Sequence, residues 1–143
     1  DRPEQWVDRW DYKNIFRMTF HYEATYDVRR TIEKIRSRQK QVGVALKLGT
    51  PVNVLYDILQ DIDMVLLLAV EPGRQGQEFD PRVIEKIKEL RQSHPMAKIG
   101  VDGGVTPLLA SSLVAAGANI LVSGSYIFSQ DNIEDALKSL QVE

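Results

Sequence analysis

Two neighbouring stretches decide the fold: Lys98-Ile99-Gly100-Val101-Asp102-Gly103-Gly104-Val105-Thr106-Pro107, and Ala116-Gly117-Ala118-Asn119-Ile120-Leu121-Val122-Ser123-Gly124-Ser125. Each is a short apolar run, of strand length, that stops in a polar residue and glycine. Thr106 before Pro107 places a capping side chain ahead of a proline suited to a first helical turn. Gly117 is a left-handed helix stop. The order is therefore strand, glycine loop, helix, strand, glycine loop.

Working outward, the same alternation repeats. Apolar runs at Ile15 to His21, Val42 to Lys47, Met64 to Val70, Lys98 to Asp102 and Ile120 to Ser123 read as five strands. Their starts are 27, 22, 34 and 22 residues apart, one strand-helix unit each, which predicts a parallel sheet. Thr50-Pro51 and Asp80-Pro81 repeat the helix start signal. Val83, Ile84, Ile87 and Leu90 form one apolar stripe, and Ile133, Ala136, Leu137 and Leu140 another. Asp131 with Glu134 resembles a capping box for the last helix, and Arg2 to Trp10 reads as a helix feeding the first strand.

Composition narrows the chemistry. The chain has 143 residues, 18 basic and 20 acidic, with 43% hydrophobic residues and no cysteine. That size suits one domain burying roughly 65–70% of its unfolded surface. A net charge of −2 with both signs interspersed leaves no basic stripe for a nucleic-acid backbone. No apolar run approaches the ~20 residues of a membrane span, and no stretch reads as a signal peptide, so the expectation is a cytoplasmic protein with neither nucleic acid nor membrane as partner. Without cysteine there are no disulfides and no thiolate metal sites; any metal uses oxygen or imidazole.

A series of strand-helix units also suits a doubly wound open sheet, which concentrates function at one switch point. Here every strand ends in a special segment: His21-Tyr22-Glu23-Ala24, Lys47-Leu48-Gly49-Thr50, Glu71-Pro72-Gly73-Arg74-Gln75-Gly76-Gln77, Asp102-Gly103-Gly104 and Ser123-Gly124-Ser125. Chemistry gathered from the ends of all strands belongs to a (β/α)8 TIM barrel, whose last two loops usually hold phosphate. The expected fold is an incomplete portion of such a barrel, with about five parallel strands that map to its fourth through eighth.

At these residues the sequence resembles the ribulose-phosphate 3-epimerase family. The likeness is carried by Pro3-Glu4-Gln5-Trp6, Thr19-Phe20-His21-Tyr22-Glu23-Ala24, Val70-Glu71-Pro72-Gly73 with Gly76-Gln77 and Phe79, Val101-Asp102-Gly103-Gly104-Val105, and Ala116-Gly117-Ala118-Asn119 leading to Val122-Ser123-Gly124-Ser125. On that map residues 1–143 are a single partial-barrel domain corresponding to helix 3 through helix 8. The resemblance implies inversion at C3 of a phosphorylated ketose, ribulose 5-phosphate to xylulose 5-phosphate, through an enediolate. Such a reaction removes a proton α to a carbonyl from one face and returns it on the other, so it needs two acid/base groups and a cation for the enediolate charge.

By the resemblance, Asp102 is one acid/base group and a ligand of a divalent metal (Zn, Fe, Mn or Co). By itself Asp102 reads as a cap or turn residue before Gly-Gly; the ordered motifs of the resemblance reverse that reading. The family's other aspartate and both histidine ligands lie on strands not in this sequence. His21 is expected to line the pocket, and His94 to be an exposed residue at a helix end. Phosphate would be cradled by the N–H groups of Gly73 and Gly76, Gly103 and Gly104, and Gly124 and Ser125, although each glycine alone reads as a turn glycine.

The sixth loop departs from the family's Pro-Gly-Phe-Gly-Gly-Gln: Gln75, in place of a glycine, would narrow the phosphate cradle or contact the sugar, and Arg74 would add charge to the anion site or face solvent. Leu68, Ala69 and Leu48 also replace the family's common residues. These changes leave a hexulose 6-phosphate epimerase as an alternative, and a non-catalytic phosphate-binding barrel fragment as another. The chain starts at Asp1 without methionine, and its length reads as a truncation whose isolated form does not turn over. Five strands cannot close a barrel curved for eight. The family is often oligomeric, so a homo-oligomer is a further expectation.

Overall fold

A computed structural model describes residues 1–73 and 77–142. Its five strands form one sheet: β1 Arg17–His21, β2 Gln41–Leu46, β3 Met64–Leu68, β4 Ile99–Asp102 and β5 Ile120–Val122. Every adjacent pair is parallel, and the spatial order is the sequence order, β1-β2-β3-β4-β5. A doubly wound sheet reverses its strand order at a switch point. This sheet does not, so each right-handed crossover lands on the same face, as in a barrel wall. The expected partial (β/α) barrel is the observed fold.

The strand period sorts the side chains. Val42, Val44, Leu46, Val65, Leu67, Ile99 and Val101 point outward, and all are at most 1% exposed beneath the connecting elements. Burial of such side chains contributes about 1.5–3 kcal/mol each. The inner face carries smaller and polar residues in register: Thr19 beside Gly43, His21 beside Ala45, Leu66 beside Gly100, and Leu68 beside Asp102, itself beside Val122. Gly43 is obligatory there, because a Cβ would lie 2.3 Å from Thr19 Oγ1. Arg17, at the foot of edge strand β1, donates to Gln41 Oε1 at 2.8 and 3.1 Å.

The connections are α1 Val28–Ser37, α2 Arg82–Ser93, α3 Pro107–Ala116, α4 Ser125–Phe128 and α5 Ile133–Ser139. Several sequence expectations change here. Arg2 to Trp10 is two short 3-10 turns, Pro3–Gln5 and Val7–Trp10. Val52–Asp61 is a 3-10 helix, and the reason lies in its apolar spacing. Val52, Leu55 and Ile58 recur every third residue and are buried, which suits three residues per turn.

Thr106 and Thr50 make no capping bond; the Thr50 hydroxyl donates to Glu23 instead. The last helix is capped by Asn132, which accepts from the N–H of Glu134 and Asp135, so Asp131 is not its cap. Of the last apolar stripe only Ala136 is buried; Ile133 and Leu137 are about half exposed, because α5 packs on the four-residue α4 and finds too little surface. His94 is half-buried against Tyr56, with ring centroids 4.8 Å apart, rather than exposed.

Gly117 is the left-handed end of α3 (φ 118°), as the sequence predicts. The residues after it form a brace. Arg91 donates to Gly117 O at 2.7 Å and to Asn119 Oδ1 at 2.8 Å, and the same Oδ1 accepts the Ile99 N–H at 3.0 Å. The brace ties α2, the end of α3 and the start of β4 together, and so fixes the height of the two strands that carry Asp102 and Gly124.

Candidate active site

The carboxyl ends of the strands open onto a cavity of about 1080 Å³. Thr19 and His21 line it from β1, Ala45 from β2, Leu66 and Leu68 from β3, Asp102 from β4 and Val122 from β5. The loops add Glu71, Pro72 and Gly73 with Gln77 to Phe79, then Gly103 to Thr106, then Ser123 to Tyr126. The structure thus brings together His21, Gly73, Asp102, Gly103, Gly104, Gly124 and Ser125, which the sequence singled out. Arg74, Gln75 and Gly76 lie outside the described residues. Glu78 and Tyr126 also line the cavity and carried no motif; Thr19 and Glu71 line it too, and stood in motifs of the resemblance with no role assigned to them, although the inward alternation of β1 could have flagged Thr19.

Asp102 is half-buried at the end of β4. Burial raises its carboxyl above the ordinary aspartate value of 3.8, while the Gly103 N–H pulls the other way. Leu68, its register neighbour, supplies an apolar flank that is 6% exposed. Neither of the other cavity carboxylates, Glu71 and Glu78, is withdrawn from solvent in this way; both are exposed.

The glycines divide into two kinds. Gly103 (φ 107°) and Gly104 (φ 65°) adopt left-handed backbone, and a Cβ would come within 2.5 Å of Val70 Cγ2 or 2.8 Å of the Phe79 N. Packing alone demands glycine at both. Gly124 has negative φ (−97°) and open space where a Cβ would stand. The fold therefore does not require glycine there. Ser123 donates to Val105 O at 2.7 Å, joining the last two loops.

On the other flank, Glu23 accepts from the Lys47 N–H at 2.9 Å and from the Thr50 hydroxyl. Burial works against its charge, but these bonds outweigh it and hold the carboxyl below the usual glutamate range. Among the described residues no group of three His, Asp or Glu could hold a metal ion. Asp102 by itself does not make the site that the family's divalent metal requires.

A parallel sheet in sequential order, with an acid at one strand end and glycine loops at the next, defines the wall of a (β/α) barrel protein. The comparisons with known proteins go further. The ribulose-phosphate 3-epimerase family matches residues 1–128, and the chain belongs to that family. The ribulose-phosphate 3-epimerase of Eremothecium gossypii is 36% identical over 148 residues, covering 96% of this chain and 62% of that protein. That of Bacillus subtilis is 34% identical, covering 99% and 67%. A 3-hexulose-6-phosphate synthase from Salmonella typhimurium superposes with a TM-score of 0.72 at 17% identity, over 98% of this chain and 66% of that one; it shares the fold alone. The chain spans about three fifths of the length of the curated relatives it matches first.

Proposed function

We propose that these residues form part of the active site of an isomerase that inverts C3 of a ketose pentose phosphate, interconverting ribulose 5-phosphate and xylulose 5-phosphate. The observation that carries this reading is Asp102: a carboxylate withdrawn from water, at a strand end, between glycine loops of one cavity. Relatives at 34–36% identity that bear the epimerase name support the pentose phosphate over a hexulose phosphate.

The chemistry follows from the position. The C3 proton is acidic because the C2 carbonyl takes up the electron pair as an enediolate. A carboxylate whose proton affinity is raised toward neutrality is the stronger general base. Asp102 removes the proton on one face, or returns it there in the reverse direction. Return on the opposite face needs a second acid, and the strands here are proposed to be the fourth to eighth of the barrel, from helix 3 to helix 8. The 143 residues on their own then bind but do not turn over. Gly103, Gly104, Gly124 and Ser125, with Gly73, cradle the phosphate dianion with N–H groups. His21 lines the sugar end. Asp102 is the donor this chain would give to the family's divalent metal, which would supply positive charge for the enediolate.

The test is product formation. A polypeptide of full family length that carries these residues should convert ribulose 5-phosphate to xylulose 5-phosphate, read by enzymatic coupling to the product. Conversion of a hexulose 6-phosphate with the pentose phosphate left untouched would replace this substrate by the other.

A further inference from the structure

Glu23 stands in the 3-10 turn Tyr22–Ala24, just past the end of β1. Its two carboxylate oxygens have different employment. Oε1 is taken by the Lys47 N–H and the Thr50 hydroxyl. Oε2 lies 3.7 Å from His21 Nδ1. That nitrogen is buried and has no hydrogen-bond partner, yet the His21 side chain as a whole is 37% exposed. The accessible part of the ring is therefore the remainder, on a residue that lines the cavity shared with Asp102.

The loop that grips Glu23 is itself gripped. Lys86 of α2 donates to the carbonyls of Lys47 at 2.6 Å, Leu48 at 3.1 Å and Thr50 at 2.6 Å, which uses all three ammonium hydrogens. Loop, carboxylate and imidazole form one chain of contacts running from α2 to the cavity. Because Glu23 is held ionised by its bonds, it can only accept. A buried imidazole nitrogen beside it gains by donating, and the gap closes with a ring shift of about 0.7 Å to a usual N–H···O length.

We propose that Glu23 is a positioning residue: it holds His21 with the proton on Nδ1 and the Nε2 lone pair turned to the cavity, and the Lys86-clamped loop holds Glu23. Which nitrogen carries the proton is set by the bond the other ring nitrogen makes. In this arrangement Nε2 accepts a sugar hydroxyl near the Asp102 carboxylate. The purpose rests on the epimerase reading; the geometry and its test do not.

The experiment is a two-bond 1H–15N correlation spectrum of the labelled protein at about pH 8, above the ordinary imidazole range. His94→Gln assigns the other histidine. His21 is expected as the Nδ1–H tautomer by about tenfold or more. In Glu23→Gln the Lys47 N–H retains the amide oxygen, the NH2 faces His21, and the tautomer reverses to Nε2–H. Lys86→Met should speed hydrogen exchange at the Lys47 amide and bring the tautomer ratio toward unity. A wild-type Nε2–H tautomer overturns the proposal. So does a ratio left unchanged by Glu23→Gln in a protein whose circular dichroism shows it folded. If Glu23→Gln does not fold, the Lys86→Met spectrum decides: faster exchange with the ratio unmoved is the overturning result. Absence of epimerase turnover in a polypeptide of full family length that carries these residues counts against the function, and leaves this spectrum to judge the positioning.

Discussion

Gly104 and Gly124 sit one on each of the two glycine loops, and the fold requires glycine only at the first. Gly104→Ala forces a side chain into left-handed backbone, at about 1–2 kcal/mol, and drives the Cβ against Phe79 main-chain atoms at 2.8 and 2.9 Å, for about 1–3 kcal/mol more. The sum is about 2–5 kcal/mol. For a chain of 143 residues that lowers the melting temperature by about 5–15 °C. Gly124→Ala meets no atom within 4 Å and has a permitted φ, so the fold should be unchanged or gain about 0.4–1 kcal/mol through the unfolded state. In the proposed cradle the added methyl would stand between the anion and the N–H groups, and loss of one charge-assisted bond by that obstruction should weaken binding of inorganic phosphate about tenfold or more. Thermal melts and phosphate titration calorimetry of the two variants separate the roles. A Gly104→Ala protein that melts within about 2 °C of wild type refutes the packing argument. Unaltered phosphate affinity in Gly124→Ala refutes the cradle.

Three other expectations follow. Asp102→Asn should remove a pH dependence of stability: the native carboxyl is raised above 3.8, so the wild type binds more protons folded than unfolded, and its stability falls as pH rises through that interval. The urea midpoint of the wild type minus that of the variant should fall as pH rises through that interval, and at neutral pH the variant should match or exceed the wild type; a variant clearly less stable at neutral pH contradicts the assignment. Asn119→Ala leaves the Ile99 N–H unpaired at the foot of β4 and deprives Arg91 of an acceptor, for about 2–4 kcal/mol, whereas Asn119→Asp keeps the oxygen and should cost less. Ile58→Ala, deep in the 3-10 turn stack, should cost about 2–5 kcal/mol in a denaturant titration, and a loss under about 1 kcal/mol would show the three-residue spacing is not what holds that segment.

Much of this was written in the order of residues. Strand runs and glycine loops suffice for five parallel strands, and loops at every strand end separate a barrel wall from a doubly wound sheet. What was legible of the site is its membership: Asp102 and Gly124, singled out at strand ends, line one cavity. It was less legible where two demands share one residue. Gly103 and Gly104 look like ligand-binding glycines, yet Val70 and Phe79 require them first. Local helix signals misled for a related reason: Thr50 has the spacing of a cap, but Glu23, distant in sequence, offers its hydroxyl a charged acceptor. Asn119 belongs to a motif of the family resemblance and turns out to be a brace. Tertiary partners of this kind leave no periodic trace.

The most direct measurement is exchange of the C3 proton of ribulose 5-phosphate with deuterated solvent, catalysed by a polypeptide of full family length that carries these residues, as wild type and as Asp102→Asn. If Asp102 is the base on one face, the wild type incorporates deuterium at C3 and the variant loses about 10²–10⁴-fold of that rate, the usual worth of a positioned acid/base group, while still binding phosphate. Exchange in the variant at the wild-type rate would contradict the role given to Asp102.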